Sequence, residues 1–127
     1  MREWTDEKIT KWHAETFPAC TLPDQLLKLE KELQELAAET DDKKRWLEQA
    51  DVYICAVTAW KRYGSEIGRL SVQGTTKMMA FKHKTEVFDK IIDIKMNVNA
   101  ARRWERLPDG TYQHSKINKP KEESCSS

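Results

Sequence analysis

Glycine and proline are scarce in this chain. Four of each make eight of 127 residues, roughly 6% where about 12% is usual. A sandwich or barrel needs many tight turns, and few residues here can make them. Cysteine is scarcer still. Cys20, Cys55 and Cys125 are odd in number and widely spaced, which argues against a disulfide framework or a zinc knuckle. An excess of one charge is also missing: 22 Lys and Arg stand against 21 Asp and Glu, a net charge of +1. Bulk charge therefore does not draw the chain to nucleic acid, and no nucleic-acid partner is expected. No apolar run approaches the ~20 residues of a membrane span. Met1-Arg2-Glu3-Trp4-Thr5-Asp6-Glu7 holds no apolar signal-peptide core, so a cytoplasmic location away from membranes is expected.

What is present suits one domain. Hydrophobic residues make up 39% of the chain, enough for a single core at this length. Residues 1–114 are expected to hold that domain. Residues 115–127 are polar, lack apolar anchors and read as a disordered tail.

Periodicity points to helices throughout. Residues 5–17 read as a short helix, with Thr5 as cap and Asp6 and Glu7 at its positive end. Leu26, Leu29, Leu33 and Leu36 recur at spacings of three and four, which predicts a second helix to about Thr40. It begins near Pro23 with Thr21 as a possible cap. Residues 43–62 carry Trp46, Ala50, Tyr53, Val57 and Trp60 at the same spacings. Their β-branched content also suits a buried strand, but the period favours helix. Gly64, Gly68 and Gly74 read as breaks, so residues 65–74 are predicted as loop or a short helical turn. From Thr75 to Arg106 the pattern is helical again, with Phe81, Phe88, Ile91, Ile94, Val98 and Ala101 on its apolar face. Such a helix is long, and a kink or break is expected near residues 82–86. Pro108-Asp109-Gly110 is a turn. The expected fold is all-α, a bundle of about four helices.

The residues that stand out are acids. Glu32 and Glu35 lie three apart on the second helix, and Glu48 and Asp51 three apart on the third. That spacing projects two carboxylates to one side. A short loop between the helices can bring both pairs together. Two readings then stand. The pairs are solvated, with Lys28 and Lys31 neutralising them. Or the four carboxylates share one space, where they raise each other's pKa unless a cation lies between them. All-oxygen donors suit a hard ion such as Mg²⁺ or Mn²⁺. Asp51 strains the solvated reading, because it is the single charge in residues 50–60 and a buried unpaired carboxylate is costly. Lys95, Asn99 and Arg102 share one face of the last helix. By spacing alone that stripe is either a solvated face or two cations and an amide facing a phosphate chain. Trp12 is either core or a stacking surface. Trp46 and Trp60 are expected in the core, Trp104 in the core or an interface.

Glu32-Leu33-Gln34-Glu35, twelve residues, then Glu48-Gln49-Ala50-Asp51 resembles the paired acidic signature of the MazG-like nucleoside triphosphate pyrophosphohydrolases, E-E-x-x-E followed by E-x-x-D. Lys31 stands where that family has its first acid. Four further blocks narrow the resemblance to the phage and prophage dATP/dGTP pyrophosphohydrolases: Trp12-His13-Ala14-Glu15-Thr16-Phe17, Asp24-Gln25-Leu26-Leu27-Lys28-Leu29, residues 95–104 and Asp109-Gly110-Thr111-Tyr112-Gln113-His114. It covers about residues 10–114.

The resemblance implies hydrolysis of a purine deoxynucleoside triphosphate, such as dATP or dGTP, to monophosphate and pyrophosphate. It implies catalytic and metal-ligating roles for Glu32, Glu35, Glu48 and Asp51, with Mg²⁺ or Mn²⁺ as cofactor. Lys95, Asn99 and Arg102 would hold the triphosphate, and Trp12 would stack the base while His13 or Gln25 bonds its edge. The family implies a dimer or tetramer, with Tyr112 and His114 able to reach a neighbouring subunit's nucleotide. The alternative is a non-catalytic helical nucleotide-binding or protein-interaction module. Lys31 favours it, and the four intact acids oppose it.

Overall fold

The computed structural model describes residues 2–82 and 85–114, with the side chains of residues 80–84 and 114 outside that description. Among the described residues, five helices are followed by a small hairpin: α1 Asp6–Thr16, α2 Leu22–Ala38, α3 Asp42–Tyr63, α4 Glu66–Lys82, α5 Thr85–Ala101, β1 Trp104–Arg106 and β2 Tyr112–His114. The all-α class is borne out, with five helices in place of about four. No helix among the described residues is long and apolar enough to cross a membrane. The expected tail, 115–127, lies outside the described residues.

Local chemistry sets the helix ends. The Thr5 hydroxyl accepts from Lys8 N at 3.1 Å and starts α1. Thr21 and Asp24 cap α2 reciprocally, with Pro23 in its first turn. Asp41 caps α3. Gly64 ends α3 at φ 74°, the left-handed conformation that glycine adopts without strain.

The axis of the molecule is α3, which packs against α1, α2, α4 and α5. Every residue from Gln49 to Ala59 is buried, as expected of a helix covered on all sides. That is why its sequence also looked like a buried strand. The core around it includes Ile9, Leu29, Val57, Met79, Ile92 and Met96, and Trp46 and Trp60 pack half-buried against it.

The loop expected at 65–74 is helix α4. The Ser65 hydroxyl accepts from Gly68 N at 3.1 Å and nucleates it. Gly68 is a packing residue: a Cβ there would stand 2.7 Å from Ala56 O and 2.8 Å from Trp60 N. Helix α4 ends at Lys82 and α5 begins at Thr85; residues 83 and 84, on which the kink or break expected near 82–86 falls, lie outside the described residues. The hairpin was not expected as strand. Trp104 pairs with His114, Glu105 with Gln113 and Arg106 with Tyr112, antiparallel. It lies on α2 through ion pairs Lys31–Asp109 at 2.6 Å and Arg106–Asp24 at 3.1 Å.

Two expected apolar faces are rotated. On α2 the buried residues are Gln25, Leu29 and Glu32, while Leu33 is exposed. On α5 they are Phe88, Ile91, Ile92, Lys95, Met96 and Asn99, while Ile94 and Val98 are exposed. Polar side chains occupy inward positions in both helices, so the apolar stripe does not mark the inward face.

Candidate active site

The polar residues that α2, α3 and α5 turn inward meet one another. Glu32 is fully buried. One oxygen each from Glu32, Glu48 and Asp51 lie within 4.8 Å of one another. Glu35, exposed, stands close enough to Glu48 for each to act on the other's carboxyl. Two lysines enter the same nest: Lys28 Nζ is 3.0 Å from Glu32 Oε2, and Lys95 Nζ is 3.3 Å from Asp51 Oδ1. The Lys28 approach does not have hydrogen-bond geometry. Both Glu32 oxygens and Glu48 Oε1 are buried without a hydrogen-bond partner.

The electrostatics follow from crowding. Burial, then the Glu35 and Glu32 charges, push the Glu48 carboxyl up to about 7. Burial raises Asp51 as well, against the pull of Lys95. Glu35 is raised by partial burial and by Glu32. Burial alone would lower Lys28, but Glu32 and its neighbours hold it above its ordinary value.

A cleft starts at this nest. Along α2 it is lined by Gln25, Lys28 and Glu32, and along α3 by Thr58, Cys55 and Asp51. Seven helical residues span roughly 10 Å, so the wall runs that far from the carboxylates. Trp12, Phe17, Trp104 and Tyr112 line the cleft too, together with His13 and Asn99. Phe17 centres this aromatic group, with its ring 4.3 Å from Tyr112, 5.4 Å from Trp12 and 5.5 Å from Trp104. The cavity is small, about 60 Å³.

The expected residues divide as follows. Glu32, Glu48 and Asp51 converge, with Glu35 beside Glu48. Trp12, His13, Gln25 and Asn99 line the cleft. Lys95 is bound up with Asp51 in the nest. Arg102 is not at the acids: its guanidinium lies 6.0 Å over the Trp104 ring. The Lys95–Asn99–Arg102 stripe therefore runs from the nest to the aromatic group. Asn99 Oδ1 is buried without a partner, an acceptor held ready in the wall. Tyr112 lines the cleft of its own chain, and the His114 side chain is outside the described residues. Lys31, at the position of a family acid, turns away to Asp109 and the Thr111 hydroxyl.

Sequence reading missed Lys28, Phe17, Thr58 and Thr111 as cleft residues. The signal for Lys28 was its i, i+4 relation to Glu32, which had been read as surface neutralisation. Nothing in the sequence marks Thr58, whereas Thr111, like Phe17 and Lys28, lies within a block that carries the resemblance.

Fold and site together define an all-α protein with a carboxylate nest at the foot of an aromatic-walled cleft. Among known proteins, the chain is similar to the "dATP/dGTP diphosphohydrolase" of Salmonella phage PMBT28, 34% identical over 109 residues. The match takes in 84% of this chain and 29% of that protein's length. No family model and no solved structure matches the chain.

Proposed function

We propose that the chain hydrolyses purine deoxynucleoside triphosphates to monophosphate and pyrophosphate, on a MazG-like helical scaffold with Mg²⁺ or Mn²⁺. The observation that carries this reading is one cleft joining a nest of carboxylates to a group of aromatic rings. The rings suit stacking of a base, and the nest suits the metal that accompanies a phosphate chain. The phage relative's name points to the same substrates.

The donor set fits a hard divalent cation. It is all oxygen, and Glu32 and Glu48 bring buried oxygens with no hydrogen-bond partner. Four acids against Lys28 and Lys95 leave two negative charges when all are ionised, the charge of one such ion. Glu32, Glu35, Glu48 and Asp51 would hold it. Bound there, the ion neutralises phosphate charge and acidifies water. Lys95 stands where it can pass from Asp51 to a phosphate oxygen. Asn99 Oδ1 can accept from a sugar hydroxyl. One of the four acids takes the proton from the attacking water. Water adds across the α–β anhydride, and pyrophosphate leaves.

The non-catalytic module keeps one observation in its favour: Lys28–Glu32 and Lys95–Asp51 already pair two of the acids. The deciding experiment incubates the four deoxy- and four ribonucleoside triphosphates with Mg²⁺ or EDTA and separates the products by chromatography. Monophosphate and pyrophosphate, lost with EDTA, are expected. No turnover of any nucleotide favours the module, and diphosphate with orthophosphate refutes the bond assignment.

Self-association belongs to this proposal. Ile67, Leu70 and Met78 recur along α4 and are exposed, as is Leu33 on α2. Such a stripe is suited to a second copy. Sedimentation should give a dimer or tetramer, and Leu70→Lys should shift it toward monomer.

A further inference from the structure

His13 and Gln25 face the cleft, but what they offer a ligand is set from behind. Arg62, in the last turn of α3, is half-buried outside the cleft wall. Its NH1 group stands 2.8 Å from His13 Nδ1 and also donates to Phe17 O at 3.1 Å. Its NH2 group donates to Pro18 O at 3.4 Å. A guanidinium has only donors, so His13 Nδ1 is an acceptor. A neutral imidazole must then carry its proton on Nε2. Burial and the Arg62 charge keep the ring neutral, lowering its pKa to about 3.

The consequence runs on to Gln25. His13 and Gln25 interact side chain to side chain in the cleft wall, and with Nδ1 occupied the proton His13 can offer is on Nε2, which in that amide the carbonyl alone can accept. At the other end of the amide, Gln25 Nε2 donates to Cys55 O at 3.0 Å. The two assignments agree. A flipped amide would set its NH₂ against the His13 N–H and its oxygen against Cys55 O. The Gln25 side chain, 3% exposed, is thus pinned in one polarity; Cys20 Sγ also donates to its oxygen at 3.7 Å, so one N–H is left over.

We infer that Arg62 is a specificity-determining positioning residue, which fixes the His13 tautomer in agreement with the Gln25 amide that Cys55 O orients, so that the cleft distinguishes bases by the donor or acceptor on their edge. The inference rests on the nucleotide reading above. A wall of fixed polarity rejects a ligand of equal size that leaves its buried groups mispaired. Adenine and hypoxanthine make the comparison, since an amino group on one is a carbonyl on the other and their shapes match.

The test has two arms. Long-range ¹H–¹⁵N spectra of the wild type, with His13 assigned by its substitution, should show a neutral ring protonated on Nε2 at pH 7. A proton on Nδ1, or a charged ring, overturns the proposal without any variant. In Arg62→Met the Nδ1–H form should appear, and Arg62→Lys, which keeps a donor and a charge, should restore Nε2–H. The second arm compares kcat/KM for dATP and dITP. The wild-type ratio should differ from one by tenfold or more, in either direction. It should move at least tenfold toward one in Arg62→Met and recover in Arg62→Lys. Tyr63→Phe is the control, because the Tyr63 hydroxyl fastens the same loop through Cys20 O without touching His13. It should leave tautomer and ratio unchanged. A wild-type ratio near one, or Arg62→Met and Tyr63→Phe behaving alike, overturns the proposal. Absence of all nucleotide turnover refutes the nucleotide reading and the discrimination with it, and the tautomer arm still decides whether Arg62 governs His13.

Discussion

Glu48 and Asp51 lie one turn apart on α3 and keep different company. Asp51 faces Lys95 at 3.3 Å, whereas Glu48 meets Glu35 and Glu32. Removing the two charges should therefore have unequal effects on stability. Glu48→Gln relieves repulsion, so without metal at pH 8 it should melt above the wild type. Asp51→Asn also removes a charge that burial disfavours, but it strands Lys95, whose side chain is only 11% exposed, so it should gain less than Glu48→Gln. Both should lower kcat by about 100-fold or more, because each removes a group acting on developing phosphate charge. Thermal melts alongside steady-state rates check this, and equal stability changes in the two variants would contradict the assigned partners. The positions of all four acids were legible in the sequence, because i, i+3 pairs on neighbouring helices must face a common seam. The lysine partners were not. Lys28 has the spacing of an ordinary surface pair with Glu32, and Lys95 reaches Asp51 across 44 positions of sequence, which no local pattern encodes.

At the scale of elements, Gly68 and Gly74 give the same signal in the sequence and have different causes. Both sit in α4. A Cβ on Gly68 would enter the backbone of α3, and a Cβ on Gly74 meets nothing within 4 Å. Gly68→Ala should force α3 and α4 apart and cost about 1–3 kcal/mol. Gly74→Ala should gain about 0.5–1 kcal/mol through helix propensity alone. Denaturant titration of the pair measures both signs, and a stabilising Gly68→Ala would refute the close approach. This is why α4 was misread as loop: glycine weakens a helix locally, and the packing that outweighs the loss is three-dimensional. The hairpin escaped for a related reason. Three-residue strands carry almost no period, and this one is held by what it lies on. Lys31 takes Asp109 and Thr111, and Phe17 takes Trp104 and Tyr112. Lys31→Met should loosen that wall of the cleft. KM for a nucleotide should rise several-fold with kcat little changed, since the nest is untouched; an unchanged KM would show that the aromatic contacts hold the hairpin unaided.

At the scale of the whole molecule, the nest and His13 give stability a defined dependence on pH. Glu48 titrates near 7 in the folded chain against an ordinary 4.5. Between those values the folded chain binds more protons than the unfolded one, so stability falls as pH rises. Its contribution is full below about 4.5 and gone above about 7. Asp51 and Glu35, both raised, act in the same direction. His13 acts in the other: its pKa falls from 6.5 to about 3, so it makes stability rise with pH across that interval. Below pH 6.5 the two effects oppose each other, and between 6.5 and about 7 the acids act alone. The metal-free melting temperature should thus be lower at pH 8 than at pH 6, with the steepest decline near neutrality. A divalent cation needs the ionised carboxylates. A hundredfold excess over Kd stabilises by about 2.7 kcal/mol, several degrees in a chain of this size. Millimolar Mg²⁺ should raise the melting temperature by that much at pH 8 and by far less at pH 5.5, where protons already occupy the nest. Glu48→Gln should flatten the decline and respond weakly to Mg²⁺. Calorimetric scans from pH 5.5 to 8, with and without Mg²⁺, decide the matter: a melting temperature indifferent to both would mean that the carboxylates neither repel one another nor hold a cation.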